Sequence, residues 1–457
     1  MPEIAALALP VAALVAAFRS GEISPVAVCE AALERAEAVD PVLHAFVRTT
    51  PVIARAQARA AETAYRNGSA ASLAGVPVSV KDTFAVEGVV TTCGSLLHDP
   101  APARADSGAV ARLRAAGAVF VGKTATAEFG QSATTDGRLG PDTGNPWDPG
   151  RTPGGSSGGA AASVGARSCT AALGSDGGGS IRIPAAFCGL VGLKPTYGRC
   201  RDEGGFRGMS AFVCPGPLAR SVADARAVYA VLADDPGERR AIAPLRIAWC
   251  ARPEGRPVDP ELLAIVEGAL RSAASLLGAE VVPADLPLDG WNDAFGPIVL
   301  AEELAERGHL EARADQLSDY ERRSLEQARA LDPALLAAAP AVHAAVQGAV
   351  DGVLARYDLI ATPATAVPAF PLGERPREIA GERVSRLWGA FPFSVPFNVS
   401  GHPALSLPVG LAAGLPVGLQ LVGRRREDHA LLDAAAAIEE ALGLTLAAPD
   451  VASGSAA

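Results

Sequence analysis

Two glycine- and serine-rich stretches and one strand-end lysine carry the side chains best suited to chemistry. The stretches are Gly154-Gly155-Ser156-Ser157-Gly158-Gly159 and Asp176-Gly177-Gly178-Gly179-Ser180-Ile181-Arg182. Glycines at this density let backbone N–H groups come close to a ligand, and the serines set hydroxyls beside those donors. Nucleophilic acyl transfer needs that combination, since an activated hydroxyl attacks while N–H groups receive the oxyanion. A flexible linker would be polar throughout. These stretches instead bracket the alanine-rich Ala160 to Leu173 and run into Ile181-Arg182-Ile183-Pro184. The lysine is Lys81, which closes Val76-Pro77-Val78-Ser79-Val80 and precedes Asp82. Taken alone, a lysine there reads as a strand-end cation that snorkels to water.

Two motif matches fail on their context. Gly117 to Thr124 fits G-x-x-x-x-G-K-T, but a phosphate loop lies between a strand and a helix, and here the residues between the glycines are themselves the strand. Gly155-Ser156-Ser157-Gly158-Gly159 fits the G-x-S-x-G elbow, which needs a strand directly before it. Trp147 to Pro153 is turn chemistry instead, and no downstream histidine stands in a diagnostic context.

The elements around these residues read as α/β. Helical spacing runs from Pro10 to Ala38, broken at Ser20 to Pro25, where Ser24 is an N-cap before a proline. A helix is expected over 53–67, strands at 76–80 and 118–121, a small-residue helix at 160–169, and a strand over 170–174 that delivers Asp176 to Ser180. Arg201 to Val213 has little periodicity and could overhang the site. Strand and helix alternate again from Leu245, and a long helical region spans about 291–354 with no obvious chemistry. A late hairpin at 404–422 and a helix at 431–442 close the chain.

The chain has 457 residues, 49% of them hydrophobic, with 48 Gly and 36 Pro, which fits a loop-rich α/β protein with a sizeable core. A formal charge of −10 argues against nucleic acid or anionic membrane as the main partner. Seven scattered cysteines, an odd count without a C-x-x-C pair, suit a reducing cytoplasm. The apolar Ile4 to Phe18 follows no basic region and contains Pro10, so it reads as a docked helix and not as a signal peptide. No run reaches the roughly 18 to 20 apolar residues that a membrane span needs.

In identity and order, these residues resemble the amidase signature family. The resemblance rests on Gly75 to Asp82, Asn145-Pro146-Trp147, Gly154 to Gly159, Asp176 to Pro184, Gly189 to Gly198, Pro396-Phe397-Asn398 and Gly414 to Gly423. It implies a single large α/β domain over 1–450, with a mixed sheet flanked by helices. The signature core would span about 71–200, a helical substrate-side region about 290–355, and a disordered tail 451–457. It also implies a Ser, cis-Ser, Lys triad in which Ser180 is the nucleophile, Ser156 the bridging serine and Lys81 the base. The chemistry is consistent, because a desolvated lysine can lose its proton near neutral pH and accept one through Ser156 from Ser180. The N–H groups of Gly177, Gly178, Gly179 and Ser180 would hold the oxyanion. Asp176 and Arg182 match family positions and would pin the loop, with Ser157 and Thr152 in support.

Two departures stand out. Gly177 replaces a residue that is more often Thr or β-branched, which predicts a looser oxyanion loop. Gly122 to Phe129 lacks the Asn-Met pair common in glutaminase subunits, which lowers the expectation of that role. The main reading is thus a stand-alone, cofactor-free and metal-free hydrolase of small-molecule amides, extending to esters and carbamates, acting as a monomer or homodimer without nucleic-acid or membrane partners. Phe129, Phe187, Phe206, Met209, Phe212 and the 387–397 segment would favour an apolar acyl or amine group. The rivals are the glutaminase subunit of a tRNA-dependent amidotransferase complex and a non-catalytic binding protein on the same fold.

Overall fold

Apolar residues recur with a period near two in the short runs and near 3.6 in the longer ones, so strands and helices alternate along most of the chain. The computed structural model describes residues 3–242 and 244–451. In chain order the strands are β1 (Phe46–Thr49), β2 (Pro77–Lys81), β3 (Val119–Thr124), β4 (Ala171–Asp176), β5 (Val191–Lys194), β6 (Cys214–Ala219) and β7 (Arg246–Trp249). They continue with β8 (Glu280–Pro283), β9 (Leu359–Pro363), β10 (Glu378–Ile379), β11 (Glu382–Arg383), β12 (Ala404–Ala412) and β13 (Leu415–Val422). β10 and β11 pair only with each other, and the other strands form one 11-stranded sheet in the order β1-β3-β2-β4-β6-β5-β12-β13-β9-β7-β8. β2 lies parallel between β3 and β4, and β7 lies parallel between β8 and β9. The strands from β4 across to β9 are antiparallel.

The single α/β domain with helices on both faces of a mixed sheet is as the sequence implies. Val78, Val80, Phe120 and Leu173 share one core with helices Gly108–Ala115, Val222–Leu232, Pro260–Leu277 and Asp428–Leu442. Val119, Val121 and Ala172 point the other way, onto helices Val11–Ser20, Pro25–Leu43 and Gly158–Gly165. The same alternation sends Ser79 and Lys81 toward helix Gly158–Gly165. Ser24 caps its helix as expected, accepting from Val26 N at 3.0 Å.

β6 is an addition to the strands expected from sequence, since its Pro215 and Pro217 argue against a ladder strand. The prolines are accommodated because β5 pairs only with Leu218 and Ala219, so Cys214 to Pro217 has β4 as its single neighbour. The 291–354 region resolves into Trp291–Arg307, a 3-10 segment Gly308–Gln316, Asp319–Arg329 and Pro333–Leu354. The last of these corrects the expectation about apolar runs. With 22 residues, it is the one helix among the described residues long and apolar enough to cross a membrane. Its Val346, Val350, Val353 and Leu354 are packed into the fold. Of the tail expected to be disordered, Val451 packs against the second core, and 452–457 lie outside the described residues.

Candidate active site

Every residue of β2 is buried, including Lys81 at 1% exposure, so the lysine does not snorkel. Ser79 Oγ lies 2.8 Å from Ser163 Oγ on helix Gly158–Gly165. Two residues further along the same face, Lys81 Nζ lies 2.7 Å from Ser156 Oγ, just ahead of that helix, and 2.9 Å from Ser175 Oγ near the end of β4. Ser175 carries no signal in the sequence, because it falls one residue before the motif that begins at Asp176. The parallel pairing of β2 with β4, Val80 opposite Leu173, brings it alongside. Among the described residues no carboxylate forms an ion pair with Lys81. Burial pulls its pKa down to about 7, opposed by the more distant negative charge of Asp176.

The Ser156 loop is fixed from several sides. Its Gly155–Ser156 peptide bond is cis. Thr152 Oγ1 accepts from Gly154 N at 3.1 Å. Thr135, which carries no sequence signal, donates to Gly154 O at 2.8 Å and accepts from Gly158 N at 3.1 Å. Ser157 joins this loop to the second one, donating from its N–H to Ser180 O at 3.2 Å and from its hydroxyl to Ser175 O at 3.2 Å.

The second loop is built on a buried ion pair. Arg182 and Asp176 are fully buried, with Arg182 Nε 2.9 Å from Asp176 Oδ2. Arg182 also donates to Ser394 O, Gln420 Oε1 and Asn398 Oδ1, while Asn398 Nδ2 returns a bond to Asp176 Oδ1 at 2.8 Å. Burial alone would raise the Asp176 pKa, yet the Arg182 charge and these hydrogen bonds hold it well below the usual carboxylate range. Asn398 and Gln420 belong to motifs that carry the family resemblance, but the sequence gives neither a role.

Asp176 also changes the oxyanion assignment. Gly179 N donates to Asp176 Oδ1 at 2.7 Å, so that N–H is spent inside the loop. The N–H groups of Gly177, Gly178 and Ser180 have no protein acceptor among the described residues. Gly179 has φ +121, and a Cβ there would lie 2.2 Å from Ser394 Oγ, so no other residue fits. At Gly177 a Cβ would meet Met209 Sδ at 2.8 Å, so Met209 fills the space that a larger residue would take. The expected looseness is thereby offset.

Ser156, Ser175, Gly177 and Ser180 line one cavity of about 600 Å³. The Ser180 hydroxyl makes no hydrogen bond to Ser156 among the described residues, so the contact between the two serines is not closed without a substrate, as is common in unliganded sites. The 201–213 segment does overhang, with Arg201 to Ser210 along one wall. Phe129, Phe206 and Met209 line the cavity, but Phe187 and Phe212 are fully buried elsewhere, as are Phe391, Phe393 and Phe397. Those five are core, which corrects the wider aromatic assignment.

Both decoys resolve as their contexts indicate. Gly122, Lys123 and Thr124 lie within β3, and Lys123 is buried 2.6 Å from Asp82. No strand precedes Gly155. Lys194, also fully buried, donates to Pro195 O at 3.0 Å. All seven cysteines are free thiols.

A mixed α/β sheet of this order, carrying a buried lysine against serines at a cavity, defines an enzyme that hydrolyses carbon–nitrogen bonds. The chain belongs to the Amidase family, whose model matches residues 27–432. It is 35% identical to the A chain of glutamyl-tRNA(Gln) amidotransferase from Synechococcus sp. (strain RCC307), covering 97% of this chain and 99% of the relative. It is 38% identical to the protein of the same name from Anaeromyxobacter sp. (strain K), covering 94% and 95%. Among solved structures, an amidase superposes with a TM-score of 0.89 at 32% identity, covering 94% of this chain and 99% of the other. A bacterial aryl acylamidase gives 0.85 at 29%, covering 95% and 96%.

These relatives correct the expectation of a chain acting alone, as a monomer or homodimer on a small molecule without nucleic acid. Its full-length matches are named as subunits of a glutamyl-tRNA(Gln) amidotransferase. The missing Asn-Met pair weighs less than expected, because it is a short local departure set against similarity along almost the whole chain.

Proposed function

We propose that the chain is the amide-cleaving subunit of an amidotransferase-type complex, releasing ammonia from the side-chain amide of glutamine. The observation that carries the chemistry is the Lys81 amine at 2.7 Å from Ser156 Oγ, inside the cavity that Ser180 lines. The identity of 35 and 38% to amidotransferase subunits supports the complex. Lys81 acts as the neutral amine that its burial favours, accepting the Ser156 proton while one of its own N–H groups donates to Ser175. Ser156 takes the proton of Ser180 as Ser180 Oγ attacks the carbonyl carbon. The tetrahedral oxyanion is met by the free N–H groups of the Gly177 to Ser180 loop. Ser156 then returns the proton to the leaving nitrogen, ammonia departs, and water attacks the acyl-Ser180 ester along the reverse relay, yielding the acid and free enzyme.

The test is ammonia release from glutamine by the chain alone and after co-purification with its partners, beside benzamide, an anilide, an ester and a carbamate, with Ser180→Ala as control. Glutamine turnover that rises with partners and vanishes in Ser180→Ala supports the proposal. Full-rate hydrolysis of the anilide by the chain alone, with no glutamine turnover in the complex, overturns the subunit role while leaving the chemistry intact. Covalent labelling by a serine-directed sulfonyl fluoride that survives Ser180→Ala overturns the chemistry.

A further inference from the structure

Helix Trp291–Arg307, which shows no chemistry in the sequence, is tied to the cavity wall at four points. Arg307 is almost wholly buried, with its guanidinium carbon 5.2 Å from the Phe129 ring centroid and 5.3 Å from that of Phe206. These two rings lie parallel within 8° at 6.1 Å, and both line the cavity. Arg307 NH1 donates to Arg207 O at 2.7 Å, and Glu302 Oε2 accepts from Ser210 N at 2.7 Å, so the helix also grips the overhanging loop. Phe129 has φ +49 and Met209 φ +53, conformations that large residues keep only when their surroundings hold them.

Behind Arg307 stand two fully buried carboxyl groups that share its charge. Glu303 takes both hydrogen bonds of the guanidinium edge and a third from Gln131 Nε2 at 2.6 Å. Glu321 lies 3.6 Å from Arg307, and neither of its oxygens has a donor. Glu128 also faces the group, but its carboxylate is occupied by Ser95 Oγ and Ser318 N, each at 2.7 Å. Two buried carboxylates facing one guanidinium cannot both stay ionised at low cost, and a proton on Glu321 would supply a donor toward Glu303 and remove the orphan. Burial raises the Glu321 pKa, whereas Arg307 holds that of Glu303 down.

We propose that Arg307 is a positioning residue that fixes the Phe129–Phe206 wall of the substrate cavity, and that Glu303 as carboxylate and Glu321 as neutral acid keep Arg307 in place. This rests on the reading of Ser180 as nucleophile, so the test uses two reagents for that serine. Methanesulfonyl fluoride reports its chemistry alone, and phenylmethanesulfonyl fluoride reports chemistry plus an aromatic fit.

Arg307→Met should slow labelling by the phenyl reagent about tenfold relative to the methyl reagent, the change expected from one lost cation–π anchor. Glu303→Gln should do the same, whereas Glu321→Gln, which preserves a neutral donor, should keep the wild-type ratio. A ratio unchanged in Arg307→Met overturns the wall assignment. Equal effects of Glu303→Gln and Glu321→Gln overturn the shared proton. If Arg307→Met does not fold, the glutamate pair still decides the second point, and Phe206→Leu, expected to lower the ratio similarly, decides the first. Failure of both reagents to label the wild type, or labelling that persists in Ser180→Ala, instead defeats the nucleophile assignment beneath the proposal.

Discussion

Lys81 and Lys123 sit on adjacent parallel strands one register step apart, and both are buried, yet their electrical surroundings are opposite. Lys123 meets Asp82 at 2.6 Å and donates to Thr91 Oγ1 at 3.0 Å. Lys81 meets two serine hydroxyls and no carboxylate. Burial pulls both ammonium groups down, but at Lys123 the Asp82 charge and hydrogen bond stand directly against it. The same residue type at the same depth thus serves as half of an ion pair on one strand and as a proton acceptor on the next. What separates them is the partner and not the burial.

The sharpest way to break this contrast is to remove each amine in turn. Lys81→Ala should cost turnover on the order of 10²- to 10⁴-fold, the usual contribution of a general base, with a urea midpoint close to that of the wild type. A loss below about tenfold in steady-state rate would remove Lys81 from the mechanism. Lys123→Met should act on stability instead, costing about 3–5 kcal/mol in urea unfolding because Asp82 is left charged and buried. Adding Asp82→Asn should recover part of that loss, and a Lys123→Met protein of unchanged midpoint would make the ion pair dispensable.

A smaller effect concerns pH. The base must be neutral to act and its pKa lies at about 7, so kcat/KM should fall toward acid pH, close to tenfold per unit below about pH 7, and level off above it. A kcat/KM that stays flat from about pH 6 to about pH 8, roughly one unit either side of that pKa, would contradict a neutral-amine mechanism.

The contrast also explains how far the sequence can be read. Lys81, Ser156 and Ser180 are legible because glycine and serine cluster around two of them and an apolar run ends at the third. The environment of each lysine is not legible, since Asp82 adjoins Lys81 in the chain yet turns to Lys123. Ser175, Asn398 and Gln420 reach the site through strand pairing and long-range packing, which no local pattern announces. Gln131, Glu303 and Glu321 come from three separate segments, so their meeting behind Phe129 has no signature. The β6 prolines mislead because the rule against them assumes a neighbour on both sides, and this strand lacks one over most of its length. The fold class survives these errors because the hydrophobic period, summed over many elements, outweighs any one of them.

The chain contains only three lysines, Lys81, Lys123 and Lys194, and all three are buried, while arginine supplies its other basic side chains. Folded protein therefore offers almost no primary amine to the solvent beyond its α-amino group. A lysine-specific protease finds its sites only after the chain opens, which makes cleavage a direct count of unfolding events. A small amine-reactive probe that can enter the cavity would meet, near neutral pH, a single side-chain amine already free of its proton, and the site would be tagged by its own chemistry.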